Sequence, residues 1–211
     1  MLQFTNDKVD RTYTNDDELP SNIDNVINGN GRTLIPGLID AHGHVGSYGF
    51  SLLRVDLVGA SSEEEAAQRV LTFVEENSEL EWILGRGWNQ VLWDSNEFPS
   101  AATIDALVKD KPVWLTRVDG HAGWANSAAM ELANIDRNTE DPTGGQIIRD
   151  ENGDATGVLI DTAMRYVSAQ IPNPTFEEQK FALQTAMESL ATYGMTSVHD
   201  AGIGSQTVAA F

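Results

Sequence analysis

Residues 33–45 read TLIPGLIDAHGHV, an apolar run that ends in one acid and two histidines. Successive side chains of an extended strand point to opposite faces, so Asp40, His42 and His44 share one face and Ala41 and Gly43 the other. Two imidazoles therefore converge at one strand end. Neutral imidazoles suit zinc and similar divalent ions, and Asp40 is placed to orient one of the rings from outside the ligand set. The bland alternative is that His42 and His44 cap the strand and hydrogen-bond to neighbouring loops.

Working outward, residues 1–33 mix short apolar pieces with turn formers, Asn15-Asp16-Asp17 and Asn28-Gly29-Asn30-Gly31, which predicts a small β region. On the other side, Ser61 and Ser62 are each followed three residues later by Glu64 and Glu65. These overlapping capping boxes predict a helix reaching about Asn77, with Ala66, Val70, Phe73 and Val74 as its apolar stripe. Residues 82–87 (WILGRG) and 112–118 (PVWLTRV) read as buried strands, separated by a short helix opened by Ser100, and Asn126 is placed to cap another. Residues 145–160 read as a hairpin turning at Asn152-Gly153. Thr175 with Glu178 starts a helix carrying Phe181, Ala182, Thr185, Met187 and Leu190, stopped by Gly194. TSVHDAG then forms a strand ending in polar groups. Strands alternating with helices, with the unusual polar residues just past the strands, predict an α/β fold with its sites at strand C-termini, and the β/α barrel is the leading architecture.

Composition narrows the chemistry. The 211 residues carry 32 Asp plus Glu against 13 Lys plus Arg, a net charge of −19, and no cysteine. Any metal must be held by carboxylates and the four histidines, and no thiol nucleophile exists. The charge repels phosphate backbones, which argues against nucleic acid as a partner, and keeps the surface hydrated, as in a salt-tolerant source. No apolar stretch is long enough to span a bilayer and no secretory leader opens the chain, so a soluble, cytoplasmic protein is expected.

Other residues compete for a role. His121 follows a strand inside Val118-Asp119-Gly120-His121 and could hydrogen-bond a substrate carbonyl or leaving group; the alternative is a histidine satisfied locally by Asp119 or backbone. His199 and Asp200 alternate on a strand, so they face opposite ways and read as structural or supporting groups. Trp82 and Trp114 are expected in the core, Trp88 and Trp124 on an apolar pocket wall. Asp150, Asn152, Asp154, Thr156 and Asp161 fall at calcium-loop spacing, but Ala155 replaces the required glycine and the flanks read as strands, so a hairpin tip is the better reading. Glu63, Glu64 and Glu65 suit a helix N-terminus, not a catalytic carboxylate pair.

TLIPGLIDAHGHV resembles the first barrel strand of the amidohydrolase superfamily, whose His-x-His supplies two metal ligands. WILGRGWNQ, PVWLTRVDGHAGWANS, DPTGGQIIRDENGDATGVLID and YGMTSVHDAG are similar, in kind and order, to the amidohydrolase family 3 branch that includes the N-substituted formamide deformylases. The resemblance covers nearly all of residues 33–202. It implies a metal-dependent hydrolase of non-peptide carbon–nitrogen bonds, of amide or formamide type, on a distorted β/α barrel beside a small β-sandwich. By resemblance His42 and His44 carry over as ligands of a divalent metal, zinc being the expected one. Asp40, His199 and Asp200 become supporting groups, Asp119 and His121 catalytic candidates, and Trp88 and Trp124 the pocket for a small amide-type substrate.

A β/α barrel takes roughly 250 residues, and here the first barrel strand starts at about Thr33. The expected division is therefore 1–33 as a partial β-sandwich and 34–211 as the N-terminal part of the barrel, with insertions at about 80–160. In the family a carboxylatable lysine, further histidines and a catalytic aspartate come from later strands. The chain is accordingly expected to be a fragment, inactive alone, whose open sheet edge favours self-association. A non-catalytic part-barrel, serving as a binding or assembly module, is the competing function.

Overall fold

The computed structural model describes residues 1–14, 17–18 and 20–211, so the turn expected at Asn15-Asp16-Asp17 lies largely outside the described residues. The chain divides into two compact units, Met1–Pro36 and Gly37–Phe211. In the first, β1 (Leu2–Thr5) and β2 (Lys8–Thr12) form an antiparallel hairpin. Its two turn residues, Asn6 and Asp7, both take positive φ, 52° and 62°, as a turn matched to strand twist requires. Tyr13 closes the hairpin through backbone bonds with Met1.

The second unit holds two sheets. β3 (Leu38–Gly43) pairs in parallel with β10 (Met195–Asp200), joined at its end to helix α1 (Val45–Leu52). Strand structure begins at Leu38 rather than Thr33 because Pro36 lacks an N–H and restricts Ile35. α1 itself has no clear sequence signal, as two glycines interrupt its eight residues. It forms against α6 (Phe176–Thr192), where Val45, Leu183 and Ala186 share a buried cluster and the Tyr48 hydroxyl meets Ser189 Oγ at 2.8 Å. The capping box of Thr175 and Glu178 opens α6, and Gly194 follows it at φ 79°. Its buried face is Ala182, Leu183 and Ala186, whereas Phe181 and Met187 are exposed.

The larger sheet has six strands in the order β4-β5-β6-β7-β9-β8: β4 (Val55–Asp56), β5 (Ile83–Trp88), β6 (Val113–Arg117), β7 (Ala122–Ala125), β8 (Gly145–Arg149) and β9 (Ala155–Asp161). β4, β5 and β6 are parallel, and β7, β9 and β8 continue antiparallel. Its central strands are apolar on both sides because both faces are covered. Val113, Leu115, Trp124 and Val158 join the cluster on one face, with Val70 of α2 (Glu63–Glu76). Trp114, Ala125 and Leu159 join the other, with Ala129 of α4 (Ser127–Leu132) and Val167 of α5 (Arg165–Ser168). α3 (Ala101–Asp105), capped by Ser100, and α7 (Ser205–Ala210) are the remaining α-helices among the described residues.

Three local readings shift. Residues 122–125, to which the sequence assigns no strand, form β7; small residues there let the Trp114 ring lie against Gly123. At α2 only Ser62 is the cap, its hydroxyl accepting from Glu65 N–H, while the Glu65 carboxylate accepts from Ser61. The hairpin between β8 and β9 turns through five residues, 150–154, rather than two, because the Asp150 carboxylate accepts from the Asn152 and Asp154 amides and only Gly153 takes positive φ. Asp154 pairs with Arg137 at 3.0 Å and Asp161 turns elsewhere, so the calcium-like spacing is a hairpin tip.

Candidate functional site

β3 lies close to β10 at Gly43, where a Cβ would sit 2.6 Å from Val198 Cγ1. The pairing sets Asp40 beside Val198 and Gly43 beside Asp200. Alternation then brings the His42 and His44 rings together, with centroids 5.3 Å apart and planes at 88°, both side chains exposed. Asp40 does not orient a ring. Its Oδ1 accepts from the His42 backbone N–H at 3.0 Å, the local bond that aspartate readily makes two residues on.

Asp200, the last residue of β10, is adjacent to this strand end. Its Oδ2 accepts from Val45 N–H at 3.0 Å, where the helix dipole favours a carboxylate, and its Oδ1 is buried without a partner. Asp200 thereby ties down the residue that follows His44. Asp200 and His44 line a cleft of about 550 Å³ with Ser47, Gln179 and Thr207. His199 is exposed on the opposite face of β10, as alternation requires. Among the described residues no three His, Cys, Asp or Glu side chains group together in a way that could hold a metal ion. The donor set present is two imidazoles, which fits a divalent cation in chemistry and is half of a tetrahedral shell in number.

His121 lies in a second locus, between β6 and β7. Asp119 Oδ1 accepts from the His121 backbone N–H at 3.1 Å and its Oδ2 lies 3.4 Å from Arg117, so Asp119 shapes the loop and does not hold the ring. The ring's partner is Asp161 at the end of β9, with Oδ1 2.7 Å from His121 Nδ1. That hydrogen bond, then the Asp161 and Asp119 charges, raises the His121 pKa above the ordinary histidine value, while Arg117 opposes the shift. The His121 side chain is 73% exposed and open to a ligand.

Asp161 was not foreseen as a functional residue. Beyond the rejected calcium-loop spacing, its sequence signal is that GVLID ends an apolar strand on Ile-Asp, just as GLID does at Asp40. Trp88 and Trp124, expected on a pocket wall, are each 0% exposed inside the core. Gly87, at φ 105°, and the register shift between Arg86 and Trp88 turn Trp88 inward, where its indole N–H donates to the Leu115 carbonyl at 2.8 Å. Trp93 and Phe98 pack around the pair.

The model of the amidohydrolase family matches residues 25–210. Among curated relatives, the chain is 42% identical over 176 residues to Protein LONG AFTER FAR-RED 3 of Arabidopsis thaliana, covering 83% of this chain and 30% of that protein. It is 30% identical over 185 residues to the N-substituted formamide deformylase of Arthrobacter pascens, covering 83% and 34%. A crystal structure of an uncharacterized metal-dependent hydrolase from Pyrococcus horikoshii superposes with a TM-score of 0.60 at 29% identity, over 83% of this chain and 32% of that one. The chain thus spans about a third of the length of these relatives. With the family model matching nearly its whole length, this chain belongs to the amidohydrolase family.

Proposed function

We propose that the protein to which this chain belongs is a metal-dependent hydrolase of non-peptide carbon–nitrogen bonds, of amide or formamide type, with zinc as its metal. The observation that carries the reading is the meeting of the His42 and His44 rings at the end of a parallel strand pair, in a member of the amidohydrolase family. His42 and His44 would hold the ion. A divalent metal there supplies a water that ionises near neutral pH and a Lewis acid for a carbonyl oxygen.

The remaining roles belong to the chain's own groups. Asp200 fixes the turn after His44 through Val45 N–H, and Asp40 fixes the His42 amide, so both histidines are held by their backbones. His121, exposed and with its pKa raised, donates a hydrogen bond to a carbonyl oxygen or protonates a leaving nitrogen. Asp119 keeps the loop that presents it. The parallel pair β3–β10 is read as part of a β/α barrel, and the six-stranded sheet as an insertion between barrel strands.

Zinc titrated by calorimetry into the wild-type chain is expected to bind weakly, and H42A/H44A to lose that heat. Identical isotherms overturn the ligand assignment. The 211-residue chain alone is expected to give no turnover of N-formyl, N-acyl or cyclic amides, because it holds two of the ligands a tight site needs. A version extended to the length of the relatives should hydrolyse at least one of them and lose that activity in H42A; an extended, metal-loaded and inactive protein would favour the binding-module reading.

A further inference from the structure

β9 ends with an unusual piece of backbone. Asp161 sits at φ 48° and ψ −118°, a region that residues with a side chain occupy only at a cost to stability. The conformation is held from outside: Asp161 N–H donates to the His121 carbonyl at 3.0 Å, and the next amide, of Thr162, donates to the Gly144 carbonyl at 3.3 Å. The Thr162 hydroxyl adds a bond to the Thr143 carbonyl at 2.9 Å. Glycine would take this conformation freely. What an aspartate adds there is a carboxylate oxygen 2.7 Å from His121 Nδ1, across 40 residues of sequence.

Three charged groups face the ring: Asp161 from β9, Asp119 from the loop after β6, and Arg117 from the end of β6. Asp119 is occupied by the His121 amide and by Arg117, which leaves Asp161 as the ring's hydrogen-bond partner. A ring bonded through Nδ1–H to a carboxylate keeps one orientation. It presents Nε2 outward, as an acceptor when neutral and as a donor when charged.

We infer that Asp161 is the positioning residue of His121, holding the ring so that Nε2–H is offered to a negatively charged or carbonyl oxygen of the substrate. The inference deepens the proposed function and rests on its reading of His121 as a substrate-facing group. It also gives a reason for the strained strand end, since a relaxed one would withdraw the carboxylate from the ring.

The test follows the His121 ring by nitrogen and carbon NMR across pH in the wild type, D161N, D161G and D119N, with thermal unfolding alongside. Expected is a His121 pKa that falls toward the ordinary value in D161N and D161G, with loss of the single Nδ1–H tautomer, and moves less in D119N. D161G is expected to keep or raise the Tm while lowering that pKa, because it relieves the backbone and removes the carboxylate together. Acetate serves as an oxygen-anion probe and should shift the Nε2 signal of the wild type more than that of D161N. An unchanged titration and tautomer in D161N and D161G overturn the positioning role, whatever becomes of His42 and His44 as ligands. A changed titration with no response of Nε2 to acetate overturns the substrate-facing part, and with it the role given to His121 above.

Discussion

Asn126 is the polar side chain on which the six-stranded sheet most depends. It is 0% exposed and makes four hydrogen bonds to backbone. Oδ1 accepts from Val113 N–H at 2.9 Å and from Ala129 N–H at 3.1 Å; Nδ2 donates to the carbonyls of Val108 at 3.1 Å and Lys111 at 2.9 Å. It thus caps α4, starts β6 and closes the segment between α3 and β6 at once. Asn126→Ala removes the partner of four backbone groups, three of the bonds buried and the one to Lys111 part-buried. At a net 0.5–1.5 kcal/mol for each bond, the loss is about 2–6 kcal/mol, of which roughly 1 kcal/mol is the helix cap. Against a typical total of about 5–15 kcal/mol, that is a large share. Asn126→Asp keeps the Oδ1 bonds but sets a buried carboxylate oxygen against two carbonyls, so it should be as damaging at neutral pH and recover in part on acidification. All five tryptophans fall within residues 82–124, so urea unfolding followed by their fluorescence reads this sheet. A loss below about 1 kcal/mol in Asn126→Ala, at unchanged slope, would refute the reasoning.

Gly49→Ala drives a methyl group into the Ala182 carbonyl where α1 crosses α6, and should cost about 1–3 kcal/mol by thermal or urea unfolding, whereas a neutral result would deny the close approach. Glu65 has its pKa pushed down to about 2, chiefly by the hydrogen bond from the Ser61 hydroxyl, then by the Ser61 amide and Arg69. A depressed carboxylate contributes stability above its ordinary pKa of 4.5 and loses it as pH falls toward 2. Ser61→Ala should therefore flatten the fall in Tm between pH 5 and 2, and parallel curves would contradict this. The chain is expected to self-associate, because among the described residues β3 and β10 have only each other as partners and Leu38 and Ile39 are 48% and 63% exposed. Its charge of −19 opposes association less as salt is raised, so light scattering should show larger species at high salt, and a monodisperse monomer at both ionic strengths would refute it.

Elements with a local physical signal were legible in the sequence. The capping chemistry at Ser62, Ser100, Asn126 and Thr175 fixed four helix starts, since a side-chain oxygen bonding an amide two or three residues on is a purely local event. Continuous apolar runs marked β5 and β6 as buried strands, and the turn residues at 152–153 marked β8 and β9 as a hairpin. The helix α1 and strand β7 were not legible, because glycine and alanine carry little propensity and these segments form only against other elements, α6 for one and the flanking strands β6 and β9 for the other. The burial of Trp88 follows from a register shift beside Gly87, which no periodicity reveals.

The site divides along the same line. His42 and His44 were legible as a pair because strand alternation alone brings them together. The carboxylates around them were not, because each had a backbone amide within reach and took it: Asp40 the amide of His42, Asp200 the amide of Val45. A carboxylate bound in this way holds a histidine through its main chain and leaves the ring free to turn. His121 is the opposite case, a ring held directly by a carboxylate brought from the far end of β9 at a cost in backbone strain. The two loci thus differ in what orients the ring: at His121 it is the Asp161 carboxylate, whereas at His42 and His44 no side chain among the described residues holds the ring and the carboxylates nearby act on main-chain amides.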